Sequence, residues 1–326
     1  MQVIVMGMHR SGTSPLARLV NLMGLYFGPE GSGLPANDEN PRGFWERSDV
    51  VGLNDRLLSS VGADWCDIHP FLLRHAERDG ANPVVPSIAA MTLELDAHRP
   101  WFLKDPRFSL TMPFWNAFLE SPNVIVCWRN PAAVVASLLR RAERGMQGLS
   151  RDEAYALWEA YTVAALNASS AHSRLILDFD DLVSDPAEVC QRLRAWLESN
   201  GRTTLRTPTA RELAAFVDAK LVRSAVDESW REYPSVAAVV ERLRGGETTG
   251  LAHSDWSLRV LRDMSLRLRE AATPAPTPAS TRLTDAVAQR IEMLLQSRVE
   301  AQFNGTSPAW SSETLARLLG TDPPAT

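Results

Sequence analysis

Four short apolar runs, each bounded by polar residues, mark out the chain: residues 3–6, 101–103, 124–128 and 175–177, the last running on to Phe179. Runs that are short, continuous and without alternation are the pattern of strands buried on both faces of a parallel sheet, because neither face meets water. Residues at helical spacing follow most of them, so βαβ crossovers and a doubly wound α/β architecture are expected.

The helices announce their starts. After the first run, Pro15 suits a first helical turn. Leu16, Leu19, Val20 and Met23 then recur at helical spacing, and Gly24 suits the C-terminal end. After the third, Asn130 can cap and Pro131 can open a helix through Leu138. After the fourth, Asp185, Pro186 and Glu188 read as a capping box ahead of an apolar stripe of Val189, Leu193, Trp196 and Leu197. Residues 211–270 read as mainly helical. The segment ATPAPTPAS at 272–280 reads as a proline-rich linker. Beyond it Leu283, Val287, Ile291, Leu294, Leu295 and Val299 predict an amphipathic helix, with a shorter one near 315–319; this tail is expected to pack on the core or on another subunit. The expected organisation is therefore a domain over 1–271, a linker over 272–280 and a helical extension over 281–326.

Composition narrows the chemistry. The 326 residues are 45% hydrophobic, enough for a large core, and carry a net charge of -5. No block of Lys or Arg is dense enough to follow a nucleic-acid backbone, so any anion site must be local. Cys66, Cys127 and Cys190 are widely separated and show neither disulfide-framework nor zinc-site spacing, which fits a reducing cytoplasm and no metal. No signal peptide and no apolar stretch of membrane-spanning length is read.

The local anion site is suggested at once by GMHRSGTS, residues 7–14, placed between the first strand and the first helix. A glycine-bearing loop there aims backbone N–H groups and the positive end of a helix dipole at an anion. A GxxxxGK[ST] loop carries a lysine for the β- and γ-phosphates of a nucleoside triphosphate, yet this chain has Thr13 at that position. Arg10 is the strong cation of the loop, with Ser11, Thr13 and Ser14 as hydroxyl donors. A second anion element is WRNPAAVVAS, where Arg129 ends a strand and Ser137 follows on the next helix.

Together, HRSGTS, the spacing from Arg129 to Ser137 and the later LDFDDLVSDPAEVCQRLRAWL resemble the sulfotransferase family that uses 3'-phosphoadenosine 5'-phosphosulfate. The resemblance covers roughly residues 1–225 and implies a P-loop-like parallel sheet flanked by helices, with a mainly helical C-terminal part and a helical tail. It implies that Arg10, Ser11, Gly12, Thr13 and Ser14 hold the 5'-phosphosulfate end, and that Arg129 and Ser137 hold the 3'-phosphate. LKDPRF at 103–108 resembles the bacterial branch and the tyrosylprotein enzymes, placing Lys104 beside the phosphosulfate without the histidine base of the cytosolic branch. NPRGFWE at 40–46 then puts Glu46 where related enzymes offer a carboxylate base.

The expected reaction is transfer of a sulfuryl group to a hydroxyl of a carbohydrate, glycolipid or small secondary metabolite. Glu46 is expected to act as base and Lys104 and Arg10 to stabilise charge, with no metal. His9 in the loop is a second candidate base, or a residue that fixes loop shape. Asp105 is expected to orient Lys104 or Arg107. Glu46 has the plainer alternative of pairing with Arg42 or Arg47, and Trp45, Trp65 and Trp101 are either packing residues or a stacking surface for the acceptor. Arg223 is a weaker donor contact. Competing readings are a P-loop kinase or NTPase, disfavoured by Thr13, and a nucleotide-binding scaffold without catalysis.

Overall fold

The computed structural model describes residues 1–37, 40, 42–73, 82–142, 148–201, 203–217 and 227–272. The strands are β1 (Gln2–Met6), β2 (Trp101–Lys104), β3 (Asn123–Trp128) and β4 (Ser173–Asp178), in one sheet of order β2-β1-β3-β4 with every neighbouring pair parallel. The strands thus lie where the apolar runs placed them, extended at their ends by polar residues such as Gln2, Lys104 and Asn123. Backbone pairing does not require an apolar side chain, so periodicity alone does not see those ends.

The helices are α1 (Thr13–Leu22), α2 (Ser48–Ser59), α3 (His69–Leu73), α4 (Val85–Asp96), α5 (Phe108–Trp115), α6 (Pro131–Ala142) and α7 (Arg151–Ala168). They continue with α8 (Phe179–Ser184), α9 (Pro186–Gly201), α10 (Ala210–Phe216), α11 (Pro234–Gly245) and α12 (Asp255–Ala272). Expected caps are in place. Asn130 Oδ1 accepts from Ala132 N at 2.9 Å and Asp185 Oδ1 accepts from Glu188 N at 2.9 Å. Gly24 takes a left-handed φ of 98° just past α1.

Alternate residues of β1 feed two separate cores. Val3 and Val5, with Phe102, Ile125, Cys127 and Leu177, pack against α1 and α9; Ile4 and Met6, with Leu103, Val124 and Val126, pack against α5 and α7. This two-sided burial is why the strands read as continuous apolar runs. α7 is buried almost all round, including Tyr155, Trp158 and Tyr161, so it acts as an inner layer rather than a surface helix. β4 is an edge strand and only partly covered, consistent with its more polar sequence SRLILD.

All four strands end at the same edge, with Val5 beside Lys104, Met6 beside Val126 and Trp128 beside Asp178. β1 is central, with β2 on one side and β3 on the other, so the loop after β1 opens at the crevice where open α/β sheets bind ligands. One compact unit spans Met1–Leu268. α12 runs on through Ala272, where the linker was expected to begin. The rest of the linker, the helical tail and Arg223 lie outside the described residues. Among the described residues no helix is long and apolar enough to cross a membrane.

The edge of β1 is built with no spare room. Gly7 has φ 142°, and a Cβ there would lie 2.0 Å from the carbonyl oxygen of Cys127 on β3. Gly7→Ala is therefore expected to cost about 2 kcal/mol or more of stability, read as a lowered urea midpoint, since a backbone atom cannot move aside cheaply. A midpoint unchanged from the parent would mean that β1 and β3 can separate at this edge.

Candidate active site

The first loop reaches its shape through two left-handed residues. Arg10 has φ 69° and Gly12 has φ 88°. Ser11 N donates to Met8 O at 3.1 Å, closing a tight turn. Gly12 admits no side chain, because a Cβ would fall 1.9 Å from Cδ2 of Phe179. As the N-cap residue of α1, Gly12 supplies no side-chain hydrogen bond, and the first turn of α1 holds no acidic residue. The leading N–H groups of α1 are thus left for an anion. The Ser11 hydroxyl is fully buried and makes no hydrogen bond among the described residues, an unspent donor in the same loop.

The second element folds directly against the first. Arg129 leaves the end of β3, and Ser137 stands on α6. Arg10 Nε donates to Ser137 Oγ at 2.9 Å, and Arg129 Nη1 lies 3.5 Å from the Arg10 carbonyl oxygen. The Arg129 guanidinium also sits 4.7 Å from the centre of the Phe179 ring. Burial pulls the Arg129 pKa below the usual arginine range, a sign of an environment short of water. Two motifs far apart in sequence therefore form a single basic cluster at the strand ends.

Lys104, the last residue of β2, is held on the other side of the loop. Its Nζ donates to Glu46 Oε1, to Phe44 O at 3.1 Å and to Ser14 Oγ at 3.3 Å. Lys104 is 2% exposed and Glu46 is 7% exposed, so the pair is buried. The Glu46 pKa is raised, chiefly by burial, with Lys104 pulling against that rise. Arg47 instead pairs with Asp49 and Glu94, and Arg42 donates to Phe216 O at 2.6 Å, so the alternative partners of Glu46 are engaged elsewhere. Between Phe44 and Glu46, Trp45 takes a left-handed φ of 55°. Such a backbone typically costs about 1–3 kcal/mol in a non-glycine residue.

Behind Lys104 lies a polar cluster that sequence reasoning missed in part. Asp105 is fully buried and accepts from Asn54 Nδ2 at 2.9 Å and from Arg107, through its backbone N at 2.9 Å and its guanidinium at 3.1 Å. Asn54 Oδ1 in turn accepts from Thr111 Oγ1 and Trp115 Nε1, at 2.9 and 3.0 Å. Asp105 thus orients Arg107 rather than Lys104. A signal for Asn54 was present: it falls among Val50, Leu53, Leu57 and Leu58 on the buried face of α2, a polar residue at a core position.

His9 faces a different surface. Its ring lies 5.1 Å from Trp65 and 5.4 Å from Tyr161, centre to centre, and Nε2 is closed to solvent without a hydrogen bond among the described residues. Burial first, then Arg107, Lys104, Arg141 and Arg10, hold its pKa well below the usual histidine value, leaving a neutral imidazole at neutral pH. The guanidinium of Arg141 covers Trp65 at 5.1 Å. Trp101 lies at the far end of β2 from Lys104, fully buried with its indole on Asp96 at 2.9 Å, so it is a packing residue. Among the described residues no three His, Cys, Asp or Glu side chains gather as a metal site.

A family model described as "Sulfotransferase family" matches residues 2–200. Curated protein sequences give no match. Among solved structures the chain is similar to the sulfotransferase domain of the Synechococcus PCC 7002 olefin synthase, at 18% identity and TM-score 0.40, covering 81% of this chain and 94% of that one. It is also similar to the sulfotransferase domain from the curacin biosynthetic pathway, at 18% identity and TM-score 0.39, covering 81% and 96%.

The buried pair makes a prediction of its own. Lys104→Met leaves Glu46 without its cation, and a buried carboxylate that loses its partner typically costs about 3–5 kcal/mol while charged. Glu46 then holds its proton in the folded state at pH values where the unfolded chain has released it, so stability should fall as pH rises above the ordinary glutamate value. Urea unfolding of Lys104→Met at pH 5 and pH 8 should show the larger loss at pH 8, and adding Glu46→Gln should remove most of the difference. Equal losses at both values would show that Glu46 does not depend on Lys104.

Proposed function

The chain belongs to the sulfotransferase family, and from that footing we propose that it transfers a sulfuryl group from 3'-phosphoadenosine 5'-phosphosulfate to a hydroxyl of a carbohydrate, glycolipid or small secondary metabolite. The observation that carries the donor reading is the hydrogen bond from Arg10 to Ser137, which joins two anion elements 127 residues apart into one site. A nucleotide with phosphate at both its 3' and 5' positions has the charge distribution for such a site. The buried Ser11 hydroxyl, Thr13, Ser14 and the open N–H groups at the start of α1 suit the 5' end; Arg129 and Ser137 suit the 3' end. Gly7 and Gly12 let the loop pack directly on Cys127 of β3 and on Phe179.

When bound, the donor supplies the sulfuryl group and a phosphate leaving group. The chain's own contribution is position and charge. Glu46 takes the proton of the acceptor hydroxyl on its carboxylate. Its burial makes it a stronger base than a solvated glutamate, and the Lys104 ammonium keeps it ionised. Lys104 also bridges to Ser14 in the phosphate loop, so one cation joins the acceptor side to the donor side. Arg10 adds positive charge from the Ser137 side of the loop. His9 is the weaker candidate: its basicity is lowered and its Nε2 is enclosed, which suits fixing the loop against Trp65 and Tyr161.

Calorimetry is expected to show tighter binding of 3'-phosphoadenosine 5'-phosphate than of AMP or ATP, without magnesium, because only the first ligand fills both elements. Equal affinity for AMP would remove the role of Arg129 and Ser137, and a strict magnesium requirement would favour a nucleoside triphosphatase. Arg129→Ala should weaken that binding at least tenfold, in keeping with about 1.5–3 kcal/mol for a hydrogen bond to a charged group.

For the base, Glu46→Gln should leave affinity for the same ligand nearly unchanged. Transfer of labelled sulfate into a metabolite extract should fall roughly a hundredfold. Normal transfer by Glu46→Gln, with His9→Ala inactive but still binding, would move the base to His9.

A further inference from the structure

The backbone of segment 42–47 is held from both ends around a single strained residue. On the C-terminal side, Leu34 N donates to Glu46 O at 2.7 Å, and Gly33 and Arg47 pair as an antiparallel bridge. On the N-terminal side, among the described residues, residues 42–44 make no such bridge, only the turn bond from Gly43 N to Asn40 O at 3.0 Å. There the Trp45 ring is packed instead, with Phe27 at 5.6 Å, Phe216 at the end of α10 at 6.2 Å and the Arg18 guanidinium of α1 over its face at 4.6 Å. Trp45 is also where the chain turns through φ 55°. The two residues that flank it meet the same atom: Phe44 through its carbonyl and Glu46 through its carboxylate both bind Lys104 Nζ.

Left-handed backbone at a bulky residue persists only where surrounding structure enforces it, and it gathers at working sites. An extended residue at 45 would send the groups before and after it in different directions, and one ammonium could not collect both. We propose that Trp45 is a positioning residue: its ring, clamped by Arg18, Phe27 and Phe216, enforces the reversal that sets the Glu46 carboxylate on Lys104. This deepens the reading of Glu46 and Lys104 as the acceptor side of the site and rests on it. The clamp also ties that side to the donor side, because Arg18 belongs to the helix that begins in the phosphate loop. The indole N–H is buried and makes no hydrogen bond among the described residues. The ring therefore acts through packing and stacking, and phenylalanine should replace it.

The test uses Trp45→Phe, Trp45→Ala and Glu46→Gln in the full chain. The first readout needs no acceptor: the carboxyl carbon of Glu46, assigned by its loss in Glu46→Gln, is titrated by NMR. The groups that face this carboxylate are Lys104 from β2 and Asp105 and Arg107 from the turn after it. In Trp45→Ala the carboxylate should swing into water and its raised pKa should drop toward the ordinary glutamate value; in Trp45→Phe it should stay. The second readout is transfer from labelled donor into a fixed metabolite extract. This should fall tenfold or more in Trp45→Ala and recover in Trp45→Phe, with calorimetric affinity for 3'-phosphoadenosine 5'-phosphate within about threefold of the parent in both. A Glu46 titration in Trp45→Ala that matches the parent overturns the proposal. So does a loss of ligand affinity as large as the loss of transfer, which is the mark of general unfolding. If the titration moves as expected while Glu46→Gln transfers normally, the positioning role stands and only the base assignment fails.

Discussion

Buried on both faces, β1, β2 and β3 carry no charged side chain before their last residue, so their charge collects where the strands stop. β1 is apolar from Val3 through Met6 and feeds two cores, and after Gly7 and the buried Met8 come His9 and Arg10. β2 stays apolar until Lys104, and β3 stays uncharged until Arg129 follows Trp128. The same edge thus collects Arg10, Lys104 and Arg129, because a side chain buried between sheet and helices cannot carry an unpaired charge. Their clustering is in this sense a product of the core.

Charge collected at a buried edge has to be matched. Lys104 is matched by Glu46 and a carbonyl, and Arg107 by Asp105 and Asp55. These fixed pairs differ from the loop of Gly7–Ser14, where the helix start carries no acid and the Ser11 hydroxyl remains unspent. Compensation on one side and open donors on the other distinguish the two parts of the candidate site. Lys104 touches both, through Glu46 and Ser14. A preorganised arrangement of this kind needs little rearrangement when charge develops, which is the usual source of large electrostatic effects in group transfer.

The polar layer beneath the site matters for the same reason. Asn54 satisfies Asp105 while accepting from Thr111 and Trp115, so three helix or strand-end elements share one hydrogen-bond network. In a low-dielectric interior each of these groups would be costly if left alone, and together they fix the turn that follows Lys104.

The sequence by itself determined where the strands fall and which segments carry the candidate site residues. Continuous apolar runs marked all four strands; in β1, β2 and β3 burial on both faces removes alternation. Asn130, Pro131 and Asp185 marked helix starts because capping is a local matter of a side chain and its next few N–H groups. The loop at 7–14 and the Arg129–Ser137 spacing were legible for the same reason: their chemistry lies within a few consecutive residues. What pairs with what was decided only by the tertiary structure. Nothing local says that Arg10 meets Ser137, that Glu46 chooses Lys104 over its neighbours Arg42 and Arg47, or that Asp105 serves Arg107. Nor does a tryptophan in sequence announce that it will sit at φ 55° between two ligands of one ammonium. These are contacts between residues far apart along the chain, set by strand order and by which side chains burial leaves within reach, and no periodicity of the sequence encodes them.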